Sequence, residues 1–366
     1  MTGTTARIDR VDATAYTVPT DAPEADGTIS WDSTTIVIAT LRCDDYQGLG
    51  YTYTHAAAAS LIAKPLSNVL NGADPMDIPQ LWEAMRRSLR NIGCPGVGWM
   101  AMSAVDHALW DLKAKLLGVS VTTLLGCARE RVPVYGSGGF TSYTIDQLQT
   151  QLAGYVEQGI ARVKMKVGTH PDQDARRVFA AREAIGEHAP LMVDANGAYT
   201  RKQALTLADT FAECNVDWFE EPVSSDDLQG LALVRNHLRH MDVAAGEYGW
   251  DTWYFNRMLD AGAVDVLQID GTRCGGFTGF MQAASVAQAH GIPISAHCAP
   301  HLHAHVCCAV PGLRHLEYFH DHARIESMFF DGLPQLRKGA LVVDVDRAGL
   351  GLILKKQDIE EYRVAS

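Results

Sequence analysis

Three short stretches decide the fold: Ala161-Arg-Val-Lys-Met-Lys-Val167, Leu191-Met-Val-Asp-Ala-Asn196 and Asp217-Trp-Phe-Glu-Glu-Pro222. Each is a brief, mostly apolar run that ends in charged or amide side chains. Runs this short suit buried strands, and the segments between them, 172–187 and 201–214, carry helical periodicity. The alternation extends in both directions. Residues 132–135 read as an earlier strand, followed by a helix over 144–158. Downstream strands fall at 243–245, 266–269, 294–295 and near 315–318, separated by helices at 227–239, 252–261, 276–290 and near 302–309. Regular strand–helix alternation means parallel βα units, and eight strands in such units close most economically as a (β/α) barrel.

The N-terminal part reads differently. Residues 7–18 and 34–41 are rich in β-branched and apolar side chains and read as strands. Between them, 20–33 reads as a polar loop, and 48–55 as a turn region. Helical patterns then cover 56–70, 79–89 and 99–117, the last with an apolar stripe through Ala101, Val105, Ala108, Leu109, Leu112 and Leu116. We expect an α+β domain over 1–131, a barrel over 132–324, and a tail, 325–366, that packs back on the first domain.

Composition narrows the function. The chain has 366 residues, 47% hydrophobic and 20% charged, enough apolar material for a large core. Lys and Arg number 31 against 43 Asp and Glu, a net charge of −12, which repels a phosphate backbone and argues against nucleic acid as the main partner. No apolar run reaches the roughly 18 residues of a membrane span, and the polar N-terminus lacks a signal-peptide core. A cytoplasmic protein is expected. The eight cysteines are scattered without a CxxC pair and read as reduced thiols.

In a (β/α) barrel, chemistry sits at the C-terminal ends of the strands. From the second expected barrel strand onward those ends carry Lys164 and Lys166, Asp194 with Asn196, Glu220 with Glu221, Glu247, Asp270, His297 and Glu317. From Lys166 the steps are 28, 26, 27, 23, 27 and 20 residues, one βα unit each. Charges gathered at one mouth need pairing or a metal. Asp194, Glu220 and Glu247 lie on consecutive units, and an all-oxygen trio suits a hard divalent cation, best Mg²⁺, one per chain. Glu221 is the competing ligand to Glu220. Lys164 and Lys166, two apart on a strand, share a face. Two adjacent ammonium groups are expected to lower a lysine pKa toward the range of a useful base. Asp270 and His297, on neighbouring strands, suit a carboxylate that fixes an imidazole tautomer and leaves the other nitrogen free.

Together, Lys164-Met-Lys166, Asp194-Ala-Asn196, Glu220-Glu221-Pro222, Gly246-Glu247, Gln268-Ile-Asp270 with Gly275-Gly276, Ala296-His297 and Leu316-Glu317 resemble the enolase superfamily, mandelate racemase subgroup. The segment Ser103-Ala-Val-Asp106-His-Ala-Leu-Trp110-Asp111-Leu-Lys113 resembles that family's capping domain. The resemblance implies a modified TIM barrel of (β/α)7β type under an α+β cap, and Mg²⁺-dependent abstraction of the proton α to a carboxylate. It further implies that Glu317, protonated or through a hydrogen bond, helps to hold the substrate carboxylate. Lys164 would neutralise charge there, while Lys166 and His297 would face opposite sides of the α-carbon. The chemistry is consistent: the product is a dianion, and it needs several concentrated positive and hydrogen-bonding groups.

Rival motifs are weaker. The histidines from His297 to His305 invite a zinc reading, but there is no HExxH, and the first barrel strand, Val132-Pro-Val-Tyr135, lacks an HxH. His301 and His305 are expected to cap a helix or line the pocket entrance. The glycine-rich stretches 136–139 and 271–279 are not GxGxxG and read as tight βα loops. Cys298 reads as a small buried thiol beside the base. A non-catalytic binding homologue is disfavoured by the complete set of acid, base and metal positions.

The loops 20–33 and 48–55 are expected to line the substrate pocket, with Trp31, Tyr53 and His55 joining Asn196 in binding. They carry hydroxyl and aromatic groups and no Lys or Arg. A polyhydroxylated monoacid is therefore expected over a diacid, with dehydration of an acid sugar to a 2-keto-3-deoxy acid as the main reading. Racemisation or epimerisation of a 2-hydroxy acid, or lactone cycloisomerisation, is the alternative on the same site. A homo-oligomer is expected.

Overall fold

The computed structural model describes residues 6–364. The expected barrel is present. Eight parallel strands run in sequence order from β4 (Val132–Gly138) through β5 (Val163–Lys166), β6 (Leu191–Asp194), β7 (Val216–Glu220), β8 (Asp242–Ala245), β9 (Val266–Ile269) and β10 (Ile294–Ala296) to β11 (Leu313–Phe319), which pairs back with β4. The strands are three to seven residues long. The two-residue side-chain period therefore places a floor residue and a site residue on one inner face of each strand. Met192 lies below Asp194, and Trp218 below Glu220. Tyr135, Met192, Trp218, Ala244 and Val266 pack together as a dry plug under the charged mouth.

Three antiparallel strands, β1 (Arg10–Ala25), β2 (Ser30–Cys43) and β3 (Tyr46–Tyr53), form the cap sheet. Two expectations fail here. Residues 20–33 are not a loop: β1 and β2 continue as a long hairpin, with a register shift between Pro19 and Glu24, and only 26–29 turn. Asp26 Oδ1 closes that turn by accepting from the Thr28 and Ile29 N–H groups at 2.6 and 2.8 Å. The tip is wedged into the barrel mouth, where a Cβ on Gly27 would stand 2.3 Å from the Ala195 carbonyl oxygen. Residues 48–55 are not a turn either; most belong to β3. Gly48 and Gly50 imitate turn residues in the sequence, but they serve close packing against the helix Val97–Leu117.

The expected helix over 56–70 is interrupted by a π-helical segment, Ile62–Leu66, around Pro65, which has no N–H to give. The boundary expected at 324 falls inside the helix His320–Phe329. The tail contacts both parts of the molecule. Ala340–Val342 adds antiparallel to β4, and Val364 N–H donates to the Ala15 carbonyl of β1. Asp111, fully buried, ties three elements: it accepts from Leu49 N–H at 2.7 Å and Leu350 N–H at 2.6 Å, and pairs with Lys115.

Candidate active site

The strand-end residues converge. Lys164 Nζ meets Glu317 Oε1 at 2.8 Å and Asp194 Oδ2 at 3.3 Å, and it pairs closely with Glu220. Lys166 pairs with Asp194 Oδ2. The Trp218 indole N–H holds Glu220 Oε2 at 2.9 Å, and Asn196 N–H holds Asp194 Oδ1 at 2.9 Å. Ligand oxygens of Asp194, Glu220 and Glu247 lie within 4.8 Å of one another, and all three residues are buried. Among the described residues, Glu247 Oε2 has no hydrogen-bond partner. Three buried carboxylates converging on one point, one with an unpaired oxygen, fit a hard divalent cation. Glu221, at a φ of +37°, is not part of this group of converging ligand oxygens and lines a neighbouring cavity.

Across the mouth, His297 Nδ1 is 2.8 Å from Asp270 Oδ2. Asp270 Oδ1 accepts from the Thr272 N–H and hydroxyl, both at 2.7 Å. Burial would raise the Asp270 pKa, but the His297 hydrogen bond and charge, with Arg273, bring it well below the usual carboxylate range. A carboxylate so held accepts from Nδ1–H and leaves Nε2 facing the mouth, 3.2 Å from Cys298 Sγ, 3.4 Å from Glu247 Oε2 and 3.6 Å from Glu317 Oε2. Strands β5 and β10, which carry Lys166 and His297, are separated by two strands one way round the barrel and four the other.

Charge state is where the sequence reading needs most correction. The Lys166 pKa is not lowered on balance, although its neighbour acts in that direction. Burial, the largest influence, and the Lys164 charge push its pKa down, but Asp194, Glu247 and Glu220 together outweigh them and the net direction is up. Lys164 is also raised: burial opposes, and Glu220 and Glu317 overcome it. The Glu317 carboxyl is not pushed up toward protonation. Burial would raise its pKa, but Lys164, then His297, hold it well below the ordinary value. Asp194 is held down at about 2 by Lys166 and Lys164 against the cost of burial. The spacing of the lysines was readable; the carboxylates facing them were set by the barrel.

A cavity of about 430 Å³ opens between cap and barrel, with Trp31, Tyr53, His55, Lys166, Asn196 and His297 on its walls. The Trp31 N–H donates to Glu24 at 2.8 Å. His55 is exposed, and its Nδ1 accepts from Ala57 N–H at 3.1 Å. Asn196, at a φ of +45°, has no partner for Oδ1 among the described residues. Arg273, Tyr248 and His322 also line this cavity, and the sequence reading singled out none of them. Arg273 stands three residues past the strand-end Asp270, and that position was the available signal. Its guanidinium lies 3.1 Å from Glu247 Oε1 and stacks over Tyr248 at 5.1 Å. A lining without a cation, the ground for preferring a monoacid, is therefore not what the folded chain presents. His301 and His305 neither cap nor line the entrance: both are buried in the helix Pro300–Ala309, on Glu326 at 2.6 Å and Thr122 at 3.3 Å.

Residues 11–126 match the N-terminal domain of mandelate racemase/muconate lactonizing enzymes, and 147–358 the enolase C-terminal domain-like family. The chain belongs to the mandelate racemase/muconate lactonizing enzyme family of the enolase superfamily. Within that family, a mandelate racemase/muconate lactonizing enzyme-like protein from Rubrobacter xylanophilus superposes with a TM-score of 0.96 at 51% identity, covering 98% of this chain and 100% of that one. The L-talarate/galactarate dehydratase of Salmonella typhimurium is 34% identical over 88% of this chain and 81% of its own length. A variant of that dehydratase has been solved with Mg and L-glucarate. The D-galactarolactone cycloisomerase of Agrobacterium fabrum is 36% identical over 76% of this chain and 74% of its own. Family relatives thus include both lyases and isomerases acting on acid-sugar carboxylates. Among the described residues, no helix is long and apolar enough to cross a membrane.

Proposed function

We propose that the protein dehydrates an acid sugar to a 2-keto-3-deoxy acid. The observation that carries this reading is the pairing of Lys166 on one wall of the mouth with an Asp270-oriented His297 on another, above the buried carboxylate trio. Asp194, Glu220 and Glu247 would hold Mg²⁺, which supplies positive charge to the substrate carboxylate while its α-proton leaves. Lys164, fixed between Glu220 and Glu317, adds a second positive charge beside the same group. His297 takes the α-proton, or Lys166 does once its ion pair with Asp194, which keeps the lysine charged, is relieved by Mg²⁺ on that carboxylate. Departure of a β-hydroxyl as hydroxide is costly, and His297, kept in register by Asp270, donates the proton that makes it water. Lys166 as base with His297 as acid gives anti elimination; His297 in both roles gives syn. The enol then tautomerises to the ketone.

Arg273, though paired with Glu247 and Asp270, brings a guanidinium to the cavity lining, so aldaric diacids are to be tested beside aldonic monoacids. The similarity to the Agrobacterium cycloisomerase favours a second reading, lactone cycloisomerisation on the same groups. A panel of aldonates, aldarates and their lactones, incubated with enzyme and Mg²⁺, separates the two. New ketones trapped with semicarbazide support dehydration. Isomerisation seen by NMR in D₂O without ketone reassigns the reaction.

A further inference from the structure

His322 is a half-buried, oriented imidazole that the reaction scheme does not use. It lies five residues past Glu317, in the helix His320–Phe329, and its ring lines the active-site cavity. Resting on the acid-sugar reading above, we propose that His322 presents a fixed Nε2–H to a hydroxyl of the substrate chain and selects substrates that carry one there.

The tautomer follows from one contact. Ala299 N–H donates to His322 Nδ1 at 3.2 Å. A nitrogen that accepts an N–H bond carries a lone pair, so in the neutral ring the proton resides on Nε2. Ala299 is aimed by an unusual turn at the end of β10: Cys298 and Ala299 are both left-handed, at φ of +50° and +40°, though neither is glycine. Such backbone is strained and persists only where surrounding contacts hold it. Here the two successive N–H groups are both engaged by side chains from the last barrel unit, Cys298 N–H on Glu317 Oε2 at 3.0 Å and Ala299 N–H on His322. The turn that follows the catalytic His297 thus also orients His322.

The ring cannot turn away. It stacks on Tyr53 with centroids 3.5 Å apart and planes at 7°, and meets the Phe319 ring edge-on at 5.1 Å. Among the described residues Nε2 has no hydrogen-bond partner, and the cavity is where the ring opens. Burial, reinforced by the nearby His297, takes the His322 pKa down to about 3. The ring is therefore neutral at physiological pH, and with Nδ1 occupied it is a donor rather than a proton carrier. A donor that the bound substrate covers discriminates against a substrate that leaves it unpaired. Thr34 and Thr35 also line this cavity.

The test uses the full chain with Mg²⁺. Two-bond ¹H–¹⁵N spectra of histidine-labelled protein, with His322 assigned by its loss in His322→Gln, are expected to show an Nε2–H ring that does not titrate between pH 5 and 9. A protonated ring or an Nδ1–H tautomer overturns the proposal. His322→Phe keeps the stack without the donor and is expected to raise KM for the preferred acid sugar at least tenfold, with a smaller change in kcat. His322→Gln, which restores an N–H, is expected to recover part of that loss, and covers the case in which the Phe variant folds poorly. Unchanged kinetics in both variants also overturn it. If the unaltered protein neither turns over any acid sugar nor shows a ring shift on titration with galactarate or gluconate, the acid-sugar reading falls and the role of His322 with it. Turnover indifferent to residue 322 sinks the His322 assignment alone.

Discussion

At the scale of single residues, charge and orientation decide what each site group does. Glu247→Gln keeps the shape of the trio and removes one charge, and is expected to weaken Mg²⁺ binding at least tenfold by titration calorimetry. Wild-type affinity in that variant would return the ligand role to Glu221. Asp270→Asn leaves His297 in place without its carboxylate partner. Solvent exchange of the substrate α-proton from the His297 face is then expected to fall by about 10²–10⁴-fold, by analogy with loss of the orienting acid in other His-dependent sites. Exchange from the Lys166 face should persist in D₂O spectra. Equal loss at both faces would remove the division of labour between Lys166 and His297. These positions were readable because a strand ends where its apolar run ends. Arg273 and His322 lie in the segments beyond, and nothing local marks which way such side chains turn.

At the scale of elements, small residues and buried carboxylates set how the cap joins the barrel. A Cβ on Gly50 would stand 2.2 Å from the Ala104 carbonyl oxygen and 2.4 Å from the Ala108 nitrogen. Gly50→Ala is thus expected to push β3 off the helix Val97–Leu117 and to cost about 1–3 kcal/mol in a denaturant melt. A second joint is Asp106 on that helix, which accepts from Thr278 N–H and hydroxyl at 3.0 and 2.7 Å on the helix Gly276–Ala289. Burial, opposed by these bonds, raises its pKa from 3.8 to about 7. The folded state then keeps a proton that the unfolded chain has lost, so this group's contribution to stability falls as pH rises from about 4 to about 7. Asp106→Asn removes that slope while retaining an acceptor, and urea melts across this range measure the difference. An identical slope in the variant would locate the effect elsewhere.

At the scale of the whole molecule, the trio draws on three successive barrel units, the ends of β6 and β7 and the turn after β8, which couples metal binding to folding. Mg²⁺ at about 100 times its Kd is expected to add about 2.7 kcal/mol of stability. Thermal melts should move upward with Mg²⁺ in the unaltered protein and hardly at all in Glu247→Gln. An equal upward shift in both would place the stabilising ion away from the trio.

The barrel, its strand ends and the trio were determined by the sequence alone, because strand length, helical period and the spacing of one βα unit are local properties of the chain. The tertiary structure decided the rest. Residues 20–33 are polar enough to pass for a loop, and become a hairpin through pairing between strands and through the Gly27 tip wedged against Ala195. Residues 48–55 resemble a turn because Gly48 and Gly50 are read without the helix that needs them small. The lysine pair was expected to shed a proton, and Asp194, Glu220 and Glu317 hold it charged. In each case the deciding partner lies far along the chain, and only folding brings its field or its bulk within reach.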